Sequence, residues 1–183
     1  MSGFVRNPRL DRLARLGRLF AHLTTLLLVL LVAGELGIWL REDWVRAAVL
    51  PRIGLPGTAT LGPWVQTLGL LLTAVPLLAL AYGLLQVRRI FQDFATGRMI
   101  TPTLARRLEL FGGTVLAQAF LSPLAGAALS VVVTAGNPSG QRMLALSIGS
   151  QDMLCALFGV LLIGVGLVMH EAARIAEDHA GFV

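Results

Sequence analysis

A chain of 183 residues that is 56% hydrophobic and only 14% charged cannot give itself a wetted surface, since soluble domains carry about 25% charged residues. That excludes an ordinary water-soluble domain and places the chain in a bilayer. The formal charge is +5, and all 15 basic residues are arginine; with abundant Ala, Gly and Leu, this is the pattern of a GC-rich bacterial coding bias.

The amino end reads RLDRLARLGRLF over 9–20, with Arg9, Arg12, Arg15 and Arg18 alternating in step with Leu10, Leu13, Leu16 and Leu19. A three-residue step turns 300° on an α-helix, so each repeat slips back by about 60° and the two residue types wind as neighbouring spiral stripes. The pattern predicts a tilted interfacial helix, its arginines on anionic lipid headgroups and its leucines on the acyl boundary. A nucleic-acid-binding arm is the other reading of such a charge run. Membrane anchoring already accounts for the charges, so no nucleic-acid partner is expected.

The first apolar run, 19–40, is long enough to span, given that about 20 apolar residues cross the hydrocarbon as a helix. A cleaved signal is the competing reading, but the run continues through Ile38, Trp39 and Leu40, too far for a typical signal. Glu35 is the ionisable residue well inside it. Intramembrane carboxylates cost free energy and often mark function. At 1.5 Å per residue Glu35 lies about 9 Å from the span centre, within reach of the outer interface or of Gln66. The loop over 41–62 opens with REDWVRAAVL, a short interfacial helix with Trp44, Val45, Ala48 and Val49 on one side, and then turns at its prolines and glycines. Trp39, Trp44 and Trp64 flank this loop and are expected at the headgroup level.

The second span, 63–87, is uncharged, carries Gln66 and is kinked at Pro76. Its helix should run past the membrane to about Thr96, because RRIFQDFAT keeps helical spacing, with Ile90, Phe91 and Phe94 as a sticky face. Gly97 is the natural residue after the helix, and Thr101-Pro102 reads as an N-cap followed by proline in the first turn. A cytoplasmic helical hairpin over 88–107 follows.

The third span, 108–135, carries Gln118 near its middle, a kink at Pro123 and the ridge Gln118, Ser122, Gly126, Ser130 at intervals of four. That is the small-residue pattern for close helix contact, with Gln118 hydrogen-bonding across helices. A second outer loop turns at GNPSG, and Ser150 is expected to cap the fourth span, 151–170, with Asp152 favoured by the helix dipole. Cys155, the single cysteine, falls in that span as a small apolar residue. His22 and His170, at the inner helix ends, invite a haem or metal; no third ligand has characteristic spacing, so interfacial hydrogen bonding is the expectation, with no cofactor or metal. The tail, 171–183, should continue as a helix with Ala172, Ile175, Ala176 and His179 towards the hairpin, and with Glu177 or Asp178 folding back on Arg88, Arg89, Arg98, Arg106 and Arg107.

Arginines set the topology. Eleven fall in the amino tail, the hairpin and the carboxyl tail, and four in the two other loops. Positive charge is retained inside, so both termini are expected in the cytoplasm.

The hairpin LLQVRRIFQDFATGRMITPTLARRLELFG and the ending EAARIAEDHAGFV resemble a family of bacterial four-span membrane proteins of unknown function designated DUF2975, over essentially the whole chain. The matching residues are Phe91, Phe94, Gly97, Thr101, Pro102, Arg106, Arg107 and Gly112, then Glu171, Ala172, Arg174, Glu177 and Asp178. Many members end in a more apolar segment than Gly181-Phe182-Val183. The resemblance implies a four-span fold, no activity, and for some members a membrane partnership with small helix-turn-helix regulators.

The sequence thus predicts an all-α, integral-membrane four-helix bundle, one domain, with cytoplasmic helical extensions, in a bacterial inner membrane. The expected function is non-enzymatic: an accessory or regulatory protein presenting Phe91, Phe94, Arg98, Arg106, Glu177 and Asp178 to a protein partner. The alternative is a small transporter or channel using Glu35, Gln66, Gln118 and the Pro76 and Pro123 kinks, which a polar cavity open to one side at mid-depth would favour.

Overall fold

The computed structural model describes residues 8–54, 61–96, 101–137 and 142–180, with 8–13 and 176–180 described as helical backbone. All regular structure in them is helical: α1 (Pro8–Leu40), α2 (Glu42–Ala48), a 3-10 turn (Leu50–Ile53), α3 (Pro63–Ala95), α4 (Pro102–Thr134) and α5 (Ser150–Ala180). Four of these are long and apolar enough to cross a membrane, so the chain is built as a multi-pass membrane protein. At 33 residues, α1, α3 and α4 are each about 50 Å long, against about 30 Å of hydrocarbon.

The long helices run up and down in turn. One end of the molecule carries the α3–α4 connection (the hairpin end); the other carries α2 (the α2 end). Among the described residues they pack strictly in chain order, α1 on α3, α3 on α4 and α4 on α5, and α1 approaches neither α4 nor α5. The bundle is therefore an open row.

Glycine decides where helices touch. A Cβ on Gly17 would lie 2.7 Å from the Phe91 carbonyl oxygen and 2.8 Å from the Ala95 nitrogen, so α1 rests on the backbone of α3 there. This corrects the expected interfacial helix: the arginine ladder is the first part of one continuous helix, docked along α3 by Gly17 and by Phe20, whose ring stacks on Phe91 at 5.0 Å. Gly83 faces Thr114 across α3–α4, and Gly112, Gly159 and Gly166 make the α4–α5 seam. Sequence reading placed the close-contact ridge at Ser122, Gly126 and Ser130. A Cβ on Gly126 would find its nearest neighbour at 3.8 Å, so that ridge is not the seam. Ser130, fully buried, instead donates to the Ala127 carbonyl and accepts from the Ala145 N–H at 2.9 Å. Thr134 likewise accepts from the Met143 N–H at 3.1 Å. The two hydroxyls pin the loop before α5 onto α4.

The tail is rotated from its expected setting. Ala173 is buried while Ile175 is 49% exposed, because 159, 166 and 173 recur every seven residues as one small-residue stripe facing α4. Helix ends follow the sequence more closely. Thr101 accepts from the Leu104 N–H with Pro102 starting α4. At α5 the roles differ from expectation: Ser150 lies inside the first turn, and Asp152 reaches back to the Gly149 N–H at 2.8 Å, the acidic half of a capping box.

Candidate functional site

At the α2 end, α2 packs on α1 and the 3-10 turn that follows it reaches α4, so that the two together form a strap. Val45, Leu50, Ile53, Trp39, Val65, Leu129 and Val133 form the buried core beneath this strap. Val45 is buried on the inner side of α2, whereas Trp44, expected on the same side, is exposed with the Arg41 guanidinium 5.3 Å from its ring. Trp64 is also exposed, which suits the interfacial role foreseen for both. Trp39 departs from it: the ring is 4% exposed and lies on Gly69, where a Cβ would come within 2.0 Å of it.

Under the strap lies a cleft of about 690 Å³, walled by α1, α3 and α4 and edged by the loop before α5. Glu35, Trp39, Thr73, Pro76, Ser122, Pro123 and Arg52 all line it. Glu35 and Trp39 sit one turn apart on α1, so both face α3. The Trp39 indole N–H lies 2.9 Å from Glu35 Oε1 and 2.9 Å from the Thr73 hydroxyl oxygen, and the Thr73 hydroxyl is hydrogen-bonded to the same Glu35 oxygen. This is a closed polar triad between two apolar helices. Gln66 is not part of it. It lies two turns before Thr73, and the Trp39 ring on Gly69 fills the space between. Gln118 does bond across helices, donating to the Pro76 carbonyl at 2.5 Å. Both prolines thus border one cleft, and one is tied to α4 through Gln118.

Sequence reading missed Thr73, Arg52 and Ser122. A threonine two turns after Gln66 and three residues before a mid-span proline was the available signal. The fold that brings Arg52 over the cleft depends on tertiary contacts at Leu50 and Ile53, which no local pattern encodes.

The hairpin end is arranged differently from the expected docking face. Phe91 stacks on Phe20, and Phe94 meets Phe91 edge-on at 6.4 Å. The aromatic face is therefore taken up by α1 and by itself. Arg107 pairs with Asp93 across the hairpin and also donates to the Arg89 carbonyl at 3.3 Å. Arg106 is exposed, Arg98 lies outside the described residues, and Glu177 and Asp178 lie where only helical backbone is described. Glu171 pairs with Arg174 on its own helix at 2.8 Å. Glu109 packs its side chain on Gly166, and its Oε1 and the Arg88 Nε are buried with no hydrogen-bond partner among the described residues. His22 and His170 are exposed on α1 and α5, helices that do not approach each other.

The Asp93–Arg107 pair yields a direct expectation. Both side chains are about four-fifths buried, so Asp93→Asn should loosen the hairpin by about 1–2 kcal/mol. The readout is trypsin cleavage at Arg98, which should become faster. An unchanged rate would mean the hairpin is held elsewhere.

The geometry defines a multi-pass membrane protein with a cleft at the α2 end whose mostly apolar wall carries Glu35 and Thr73. No family model matches the chain, and neither a curated protein nor a solved structure matches it.

Proposed function

We propose that the chain is a non-enzymatic, multi-pass protein of a bacterial inner membrane that takes a small solute into this cleft from outside the cell. The cleft carries the reading: one intramembrane carboxylate and the prolines inside α3 and α4 border the same space. Intramembrane acids, and prolines that free backbone carbonyls inside a span, are parts from which solute sites at membrane depth are made. The arginine bias, eleven against four, argues for the hairpin end and both termini in the cytoplasm and the α2 end outside.

The test uses a Cys155→Ala background with Ser122→Cys in the cleft wall. An impermeant maleimide should label the introduced thiol in intact cells from outside, and a reporter fused after Val183 should be active only in the cytoplasm. Labelling only from the cytoplasmic side, or none, removes the reading.

A second reading keeps one specific observation. Arg89 and Arg106 are exposed at the hairpin end, and neither is paired with a carboxylate among the described residues. They suit anionic headgroups or an acidic protein partner, in line with the resemblance to DUF2975. Charge reversal at both positions should then release any co-purifying protein while leaving maleimide labelling of the Ser122→Cys protein intact.

A further inference from the structure

We infer that the cleft receives a protonated primary or secondary amine bearing an apolar chain; this rests on the cleft being the working site. Glu35 Oε1 is taken by both Trp39 and Thr73. Glu35 Oε2 has no hydrogen bond to the described residues, and Glu35 lines the cleft. No cation among the described residues answers it, since Arg52 sits exposed on the 3-10 turn and forms no ion pair with Glu35. The other carboxylate in the lining, Asp152, is turned back on the Gly149 N–H.

Proline has no N–H, so Pro76 and Pro123 bring no backbone donor to the wall they line. Ser122 lines the cleft with a hydroxyl that makes no bond to the described residues. A carboxylate with an open oxygen beside a hydroxyl that can accept, at membrane depth, is stabilised by a ligand that brings both positive charge and N–H groups. A quaternary ammonium brings charge alone and is usually held by open aromatic faces. Trp39 is the aromatic residue lining this cleft, and its ring is buried on Gly69. The site therefore favours an amine that donates. Ile38, Ile53 and Leu129 supply the apolar wall for its chain.

The probe is hexylammonium chloride, titrated into the full chain carrying Trp44→Phe and Trp64→Phe in phosphatidylcholine nanodiscs, with Trp39 emission as the readout. Hexanol, hexanoate and hexyltrimethylammonium are the matched comparisons. Hexylammonium should bind at least about tenfold more tightly than each of them, and Glu35→Gln should remove at least about tenfold of that affinity. Glu35→Asp, which keeps the charge, should retain most of it. Adding phosphatidylethanolamine to the nanodisc distinguishes the sources: competition assigns the amine to a lipid headgroup, and no competition assigns it to a free solute. Equal binding of hexanol with no effect of Glu35→Gln overturns the amine assignment and leaves a cleft that binds neutral solutes. Tighter binding of hexanoate overturns it in favour of Arg52 as the anchor. No binding of any probe also overturns it, and labelling of the Ser122→Cys protein then reports separately whether the cleft reading survives.

Discussion

Leucine at position 159 should pull α5 off α4. A Cβ at Gly159 would stand 2.5 Å from the Leu116 nitrogen and 2.7 Å from its Cα. Those are backbone atoms, which cannot swing aside as a side-chain tip can. Between membrane helices the attraction is mainly van der Waals contact at close approach, so separation forfeits most of it. Gly159→Ala should cost about 1–3 kcal/mol, and Gly159→Leu more. The control is on the same helix: Gly164 has nothing within 4 Å of its added Cβ, so Gly164→Leu should leave stability nearly unchanged. Mixed-micelle denaturation of the four proteins checks this. Equal midpoints for the two leucine variants would mean that the seam runs elsewhere.

Removing the indole at position 39 should be as costly. Trp39 is 4% exposed and belongs to the core under the strap. Trp39→Ala should destabilise by about 3–5 kcal/mol, the usual loss for a buried large aromatic. Gly69 exists as glycine because the ring lies on it. Gly69→Leu should therefore be harmful alone and partly restorative beside Trp39→Ala, by filling the space the ring vacated. A double-mutant cycle measures that coupling, which should reach at least about 1 kcal/mol. Simple additivity would mean that ring and glycine are not in contact.

The sequence reveals helices more readily than their neighbours, and these residues show why. Apolar runs of about 20 residues, the Thr101-Pro102 start and the helical spacing through Phe94 are local signals, and the helices lie where those signals put them. Gln118 was legible as a cross-helix donor because an amide inside an apolar span has few other uses. The seams were harder. The chain has 20 glycines, and nothing local separates Gly159, pressed on Leu116, from Gly164, which faces open space. The ridge through Ser122 and Gly126 had the right spacing for a seam but lies on the cleft wall. Glu35 announced itself, yet its partner did not. The choice between Gln66 and Thr73 depends on how far α1 slides along α3, which the fit of Trp39 on Gly69 decides. The sequence offered the aromatic pair at 91 and 94 to another protein because it suggested a tilted interfacial helix at the amino end, whereas α1 docks along α3 and stacks Phe20 on Phe91.

The row order of the helices has a consequence for how the protein is made. During membrane insertion the helices leave the ribosome one after another, and each later one finds an earlier partner already in place: α3 meets α1, α4 meets α3, α5 meets α4. No long helix has to wait for a distant segment or displace one already seated, so assembly can keep pace with synthesis. The strap formed by α2 and the 3-10 turn is the exception, since the contacts of the 3-10 turn on α4 cannot form until α4 has crossed. Closure of the roof over Glu35 is thus tied to the arrival of the third spanning helix, and a nascent chain arrested before that point would carry its membrane carboxylate uncovered.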